Sequence, residues 1–405
     1  MQSKATAKNA FFIGLLCSVI YLAVYIARNV LSAVSPQMLS DNIFSENVIG
    51  TLSSVFFFAY AIGQLINGLI GDFVKSKYML VFGLLIAGVS SIVIPRFYQN
   101  ILSAYFVYGI MGFALSMIYG PMTKAIAENT TQNHAVKCNL ALNFASYFGT
   151  PLAGVLAVYF MWDTTFKSSG CILIVISMLC FIAFTYFERK NIIVYNQYDS
   201  KDKSNKKSSS FVAAVKVLRG KEIVKFTFVS ILTGVIRTTV LFWLPTYLLQ
   251  YLEFSEKQST SIFTVTSLLI SLGSFAAVYV YKMLKNSINK TLLFSFAFSA
   301  VLFLFTYIIK VPAANITLLL LAIIASNCAA TMMWSFYCPS LADTGLVSSA
   351  TGYLDFVSYM SAAIASKLFA DAATSIGWGG LILVWMGLMI LGIVVSLPYK
   401  KRCEV

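Results

Sequence analysis

The sequence predicts an all-α membrane protein with twelve transmembrane helices, arranged as two six-helix, pseudo-symmetric bundles. Of its 405 residues, 59% are hydrophobic and only 11% are charged, and the mean hydropathy is +0.81. A soluble domain needs far more polar surface than this. Apolar runs of about 20 residues, the length that crosses a bilayer core of roughly 30 Å, recur along the whole chain.

Each apolar run is too long for a barrel strand, and a helix satisfies its own backbone hydrogen bonds in lipid. The first run carries Arg28 and has no small-residue cleavage site, so we expect a membrane span here and not a cleaved signal peptide. The predicted spans are residues 10–34, 48–70, 77–95, 100–123, 138–160, 169–187, 223–250, 258–282, 290–310, 313–340, 346–370 and 376–397.

The distribution of charge predicts the topology. The net charge is +14, and lysines lie before the first span, after the last span and in the 2–3, 4–5 and 8–9 loops. The alternate loops carry few basic residues and include Asp41, Glu46 and Glu253. This positive-inside pattern predicts a multi-pass protein of the cell's inner (plasma) membrane with both termini cytoplasmic. The basic charge is therefore explained by the lipid bilayer, and we expect no nucleic acid partner.

Residues 188–222 form the only long hydrophilic interval and contain a Ser/Lys-rich stretch at 199–210. We expect a flexible, basic cytoplasmic linker here, between an N-terminal bundle (1–187) and a C-terminal bundle (223–405). A contact with anionic lipid or a regulatory role is the alternative interpretation of the linker. The leading helices of the two bundles share one spacing, from Arg28 to Pro36 and from Arg237 to Pro245, which is typical of parallel repeats.

Two arginines lie deep in predicted spans. At a rise of about 1.5 Å per residue, Arg28 and Arg237 each lie roughly 20–27 Å from the predicted cytoplasmic end of the helix. An arginine at such depth costs about 2.5–3.5 kcal/mol on insertion scales, so each needs a cavity, a partner or an anionic ligand. A guanidinium grips phosphate or carboxylate with two parallel hydrogen bonds, and two facing one cavity suit a dianion. The alternative is a structural ion pair with Asp355, although one acid cannot neutralise both arginines.

Tyr21, Tyr25 and Arg28 are spaced i, i+4 and i+7, so they share one helix face. Phenolic hydroxyls beside a guanidinium provide directional hydrogen bonds in a polar cavity. In a chain with 22 tyrosines, a packed aromatic stripe is the alternative interpretation.

At these residues the chain resembles the major facilitator superfamily, in particular its organophosphate:phosphate antiporter branch, which includes glycerol-3-phosphate and hexose-6-phosphate exchangers. The resemblance extends along nearly the whole chain. The segments that carry it are Tyr25-Ile-Ala-Arg28-Asn29, Gly68-Leu-Ile-Gly-Asp72-Phe-Val-Lys75, Asn143-Phe-Ala-Ser146 with Gly149, Arg237-Thr-Thr-Val-Leu-Phe-Trp243-Leu-Pro245-Thr-Tyr247, and Thr351-Gly352 through Tyr359.

The resemblance implies a major facilitator fold whose two halves rock about a central site. It implies that Arg28 and Arg237 bind the substrate phosphate, and that the site is lined by Tyr21, Tyr25, Tyr60, Gln64, Asn143, Ser146, Trp243 and Tyr359. It also implies a cytoplasmic gate at Gly68, Asp72 and Lys75.

Three positions depart from the pattern of the glycerol-phosphate exchangers. Gln64 stands where they have a lysine, Ser146 where they have a histidine, and Asp355 where relatives usually have a small uncharged residue. Each change makes the cavity less positive. A site of this kind suits a monoanion, or couples to protons through Asp355.

The leading hypothesis is a secondary active transporter that exchanges a phosphorylated metabolite, such as glycerol 3-phosphate or a sugar phosphate, for inorganic phosphate. The alternatives are a proton-coupled symporter of a carboxylated solute such as a hexuronate, and a transporter-like sugar-phosphate sensor. The sequence has no nucleotide-binding motif, catalytic constellation or cysteine spacing for a metal, so we expect no enzyme activity, cofactor or metal. The expected partners are a small anionic solute, with inorganic phosphate or a proton as the coupled species, and we expect a monomer.

Overall fold

The computed structural model describes residues 7–70, 74–193, 222–273, 276–341 and 347–397, and it is almost entirely helical. We number the long helices in chain order. They are α1 Ala7–Ser40, α2 Glu46–Ile70, α3 Ser76–Val93, α4 Ile101–Asn129, α5 Gln132–Tyr159, α6 Trp162–Arg189, α7 Ile223–Gln250, α8 Glu256–Met283, α9 Ile288–Ile308, α10 Pro312–Tyr337, α11 Val347–Ser375 and α12 Gly377–Ser396.

Ten of these helices are long and apolar enough to cross a membrane, counted over the residues that the structure describes. The ten do not include α5 and α11, which are 28 and 29 residues long. The all-α membrane fold is therefore confirmed, and the count of twelve spans stays a prediction.

Several helices extend beyond the apolar runs that predicted them. α1 continues through Pro36 to Ser40, and α6 begins at Trp162, ahead of the predicted start at 169. Hydropathy marks only the lipid-embedded part of a helix, whereas the backbone hydrogen bonds continue into polar turns at its ends. α6 ends at Arg189, inside the predicted linker, and residues 194–221 of that linker lie outside the described residues.

Local sequence signals set several helix starts. The side chain of Asn100 accepts a hydrogen bond from the backbone N–H of Ser103 at 3.2 Å and caps α4. Ser287 caps α9 in the same way by accepting from the N–H of Lys290 at 3.4 Å. α10 begins with Pro312, whose missing N–H costs nothing in the first turn.

The chain divides into two compact units. The first unit draws on Met1–Lys207 and Leu244–Leu268, and the second on Ser208–Trp243 and Leu269–Val405. The C-terminal part of α7 and the N-terminal part of α8 thus pack with the first unit.

Small residues bring helices of the first unit into close contact. Gly88 of α3 and Gly170 of α6 face each other, and a Cβ added to Gly170 would lie 2.6 Å from the Gly88 carbonyl oxygen. On the same helix pair, the hydroxyls of Ser91 and Ser169 lie 2.9 Å apart. Close backbone packing and hydrogen bonds between side chains hold helices together where lipid removes the hydrophobic driving force.

The first unit also includes a buried contact between α1 and the C-terminal part of α7. The hydroxyls of Ser35 and Thr246 lie 3.0 Å apart, and both residues are fully buried. Thr260 of α8 donates to the carbonyl oxygen of Ala33 at 3.4 Å. These hydrogen bonds fix the segment Leu244–Leu268 against α1.

In the second unit, α7 packs closely on α11. The hydroxyl of Ser230 donates to the carbonyl oxygen of Leu354 at 2.6 Å, and Gly234 lies against Ser358. Two helices of this unit contain a π-helical turn, at Ile236–Val240 in α7 and at Met333–Tyr337 in α10. Such turns inside α-helices occur frequently at functional sites.

Candidate functional site

Arg28 lies on α1 among three aromatic rings, which we call the aromatic box: Tyr25, Phe57 and Tyr60. The guanidinium carbon is 5.4 Å from the ring centroid of Tyr25, 5.4 Å from that of Phe57 and 5.1 Å from that of Tyr60. Cation–π contacts of this kind contribute about 0.5–2 kcal/mol each, with the larger values at desolvated sites. The box therefore offsets part of the cost of placing this cation in a membrane helix.

The predicted tyrosine face of α1 continues from the box. Tyr21 and Tyr25 meet edge to face with ring centroids 4.9 Å apart. Tyr21 also contacts Tyr119 of α4, with centroids 5.6 Å apart. The structure thus places Tyr21, Tyr25 and Tyr60, all predicted site residues, in one aromatic cluster with Arg28.

Four aromatic residues of this cluster were not predicted from the sequence: Phe56, Phe57, Tyr108 and Tyr119. Tyr108 is buried on α4 and contacts Phe56 with ring centroids 5.0 Å apart, and Phe56 stacks on Tyr60. Phe57 precedes Tyr60 by three residues on α2, so the two share a helix face, and that spacing was the available signal. Nothing in the local sequence of α2 indicates that α4 packs against it at this cluster.

α5 supports the cluster through Gly149. A Cβ at this position would collide with the Cβ of Tyr25 and would lie 3.0 Å from the Tyr25 carbonyl carbon. The two backbones therefore meet at the level of the box. The predicted site residue Ser146 is buried one turn earlier on α5, and the side chain of Asn143 lies outside the described residues. Gln64 is half-buried on α2, one turn beyond Tyr60.

Arg237 lies in the π-helical turn of α7, in the second unit. It is half-buried, and within the described residues it makes no hydrogen bond or ion pair. The turn that carries it contacts α10 and α11. A structural ion pair between Arg237 and Asp355 is therefore absent from the described part of the chain.

The other predicted residues of the second unit have varied environments. Trp243 is 1% exposed and packs against Phe242 and Trp378, with ring centroids 5.3 and 6.3 Å apart. Its indole N–H has no hydrogen-bond acceptor among the described residues. Tyr359 is buried on α11, and Asp355 is half-buried one turn before it.

The predicted gate is described only in part. Gly68 lies near the end of α2, and the exposed Lys75 immediately precedes α3, while Asp72 lies outside the described residues. The neighbouring Lys77 forms an ion pair with Glu188 of α6 at 2.7 Å. Over the described residues, no group of three or more His, Cys, Asp or Glu side chains could hold a metal ion.

A bundle of long apolar helices with cations and hydroxyls in its interior is the architecture of a multi-pass membrane transporter. The chain belongs to the Major Facilitator Superfamily, whose profile matches residues 17–366. The predicted membership of this superfamily is therefore confirmed.

Similar proteins agree with this assignment. The phosphoglycerate transporter protein of Salmonella typhimurium is 21% identical over 95% of this chain and 88% of its own length. The hexuronate transporter of Bacillus subtilis is 21% identical over 85% of this chain and 83% of its own. The membrane sensor protein UhpC of Escherichia coli is 21% identical over only 40% of this chain and 37% of its own.

The fold is also that of a solved transporter structure. A bacterial homolog to the human lysosomal transporter Spinster superimposes with a TM-score of 0.76 over 96% of each chain, at 9% identity. The architecture is thus preserved where the sequence is not.

Proposed function

We propose that this transporter moves a small organic anion, a phosphorylated metabolite such as glycerol 3-phosphate or a sugar phosphate, in exchange for inorganic phosphate. The observation that carries the proposal is the aromatic box around Arg28. Three ring faces lie against the guanidinium, and a guanidinium is the side chain that grips an oxyanion with two parallel hydrogen bonds.

Arg237 supports the same conclusion from the second unit. Its half-buried guanidinium makes no hydrogen bond or ion pair among the described residues. The Salmonella relative is named for phosphoglycerate, a phosphate ester that also carries a carboxylate. Two guanidinium groups suit an anion with this much charge.

In the proposed cycle, the halves 1–187 and 223–405, joined by the 188–222 linker, expose the bound anion alternately to the two sides of the inner membrane. The protein acts as a monomer with both termini cytoplasmic. Gly68, Asp72 and Lys75 form the cytoplasmic gate. The anion is bound by Arg28 and Arg237, with Tyr21, Tyr25, Tyr60, Gln64, Asn143, Ser146, Trp243 and Tyr359 completing the site.

A second candidate function is proton-coupled symport of a carboxylated solute. It is favoured by the half-buried Asp355 in α11, since a carboxylate inside a membrane helix is a candidate proton carrier, and by the similarity to a hexuronate transporter. A sensor function has less support because the similarity to the sensor protein covers 40% of the chain.

Counterflow in proteoliposomes loaded with inorganic phosphate tests the proposal. We expect loaded phosphate to drive uptake of 3-phosphoglycerate, glycerol 3-phosphate or a hexose phosphate. Arg28→Lys and Arg237→Lys should each abolish uptake, because an ammonium cannot reproduce the guanidinium fork. Arg96→Lys, the same change at an exposed arginine, is the control and should transport normally.

Two results would contradict the proposal. One is normal uptake by both the Arg28 and the Arg237 variants. The other is uptake of a hexuronate that is driven by a proton gradient while loaded phosphate drives no phosphate ester, which would establish the second candidate instead.

A further inference from the structure

Phe57 differs from the other two members of the aromatic box. Tyr25 and Tyr60 carry hydroxyl groups that can hydrogen-bond to a bound anion directly. The ring of Phe57 has no polar atom that could hydrogen-bond to an anion, and its centroid lies 5.4 Å from the guanidinium carbon of Arg28. We therefore expect Phe57 to influence inorganic phosphate, which has no carbon skeleton, through the arginine.

The ring of Phe57 is fixed by its surroundings. Phe57 is 5% exposed and meets Phe56 edge to face, with centroids 5.5 Å apart and an interplanar angle of 87°. Phe56 in turn packs on Tyr108 of α4. Gly112 of α4 holds this part of α2 in place, because a Cβ there would lie 2.5 Å from the Phe56 carbonyl oxygen. The ring is thus part of a closely packed wall.

Such a wall has two physical consequences for Arg28. The electron-rich ring face stabilises the guanidinium charge in surroundings of low dielectric constant. It also restricts the rotamers of the Arg28 side chain, so less conformational entropy is lost when the guanidinium binds an oxyanion.

We propose that Phe57 is a positioning residue for anion binding: its ring, together with Tyr25 and Tyr60, orients the guanidinium of Arg28 toward a phosphate or carboxylate oxyanion. This inference rests on the proposed function and assigns the affinity of the site to a residue that does not touch the substrate. It implies that loss of the ring raises KM and leaves the maximal rate nearly unchanged.

The test uses the purified full-length protein and two probes, inorganic phosphate and 3-phosphoglycerate. Equilibrium binding is measured in lipid nanodiscs, and KM and maximal rate are measured in proteoliposomes. The variants are Phe57→Leu, which removes the ring, and Phe57→Tyr, which keeps it. Phe184→Leu is the matched control, since Phe184 is a fully buried phenylalanine on α6. If the Phe57→Leu protein cannot be purified in folded form, Phe57→Met, which also removes the ring, takes its place.

We expect Phe57→Leu to weaken binding of both probes about tenfold, equivalent to about 1.4 kcal/mol, with the maximal rate within about twofold of wild type. Phe57→Tyr should stay within about threefold of wild-type affinity, and Phe184→Leu within about twofold. Unchanged affinity in Phe57→Leu overturns the inference, as does an equal loss in Phe184→Leu, which would indicate general loosening. If the wild-type protein binds neither probe, the proposed function itself is wrong.

Discussion

Replacing Lys77 with methionine should destabilise the protein by about 2–3 kcal/mol. Lys77 is the second residue of α3, and its ammonium lies 2.7 Å from a carboxylate oxygen of Glu188, with the two side chains only 7% and 24% exposed. It also lies 3.4 Å from the hydroxyl of Thr185, and 5.1 and 5.3 Å from the ring centroids of Tyr78 and Phe181. Removing one partner of a buried pair costs about 3–5 kcal/mol, and the partial exposure of Glu188 reduces that value.

The pair between Lys167 and Asp163 is a matched control, because its N–O distance is also 2.7 Å while its side chains are 49% and 33% exposed. Exposed pairs four residues apart on a helix contribute about 0.3–0.5 kcal/mol, so Lys167→Met should change stability little. SDS-induced unfolding followed by circular dichroism measures both variants. Equal changes in the free energy of unfolding would refute the burial argument, since distance alone would then explain the result.

Removing both charges of the buried pair separates the loss of the ion pair itself from the cost of leaving the Glu188 carboxylate without its partner. Combining Lys77→Met with Glu188→Leu leaves no uncompensated carboxylate, so much of the lost stability should return. A double variant no more stable than Lys77→Met would contradict this account.

Three further predictions concern packing and coupling. Gly149→Ala should lower the free energy of unfolding by about 1–3 kcal/mol and weaken phosphate-driven uptake, because the new Cβ collides with Tyr25. The control is Gly120→Ala, where a new Cβ meets no atom within 4 Å, so this variant should be neutral or stabilising. Equal behaviour of the two variants in the unfolding and uptake assays would contradict this prediction. Thr246→Val removes a buried hydroxyl and should cost about 1 kcal/mol in the unfolding assay; no change would show that its contact with α1 is dispensable. Under the second candidate function, proton-coupled symport, Asp355→Asn should flatten the pH dependence of uptake, and a wild-type pH profile would remove this carboxylate from coupling.

The sequence was sufficient to predict the class of protein and to identify Arg28 and Arg237 as candidate ligands for an anion. Hydropathy is a local property, so the apolar run 223–250 coincides with α7 at Ile223–Gln250. The depth of Arg28 within its run, and the shared face of Tyr21, Tyr25 and Arg28, follow from helical periodicity alone. The tyrosine contact on α1 was therefore predictable.

The sequence could not predict the surroundings of Arg28. Phe57 and Tyr60 come from α2, and the glycine that holds Tyr25 comes from α5. These contacts depend on which helices pack together and in which rotation. Helix packing in lipid is set by close steric fit between distant segments, which leaves no period in the local sequence.

Tertiary structure also decided two features that hydropathy cannot show. The π-helical turn that carries Arg237 lies inside an apolar run that hydropathy treats as uniform. Leu244–Leu268, which follows the linker in sequence, packs with the first unit through Thr246 and Ser35. The sequence by itself determined which segments are apolar enough to be predicted as spans, because transfer into lipid depends on each segment's own composition. Only the fold decided which side chains meet, because that depends on the shapes of surfaces far apart in the chain.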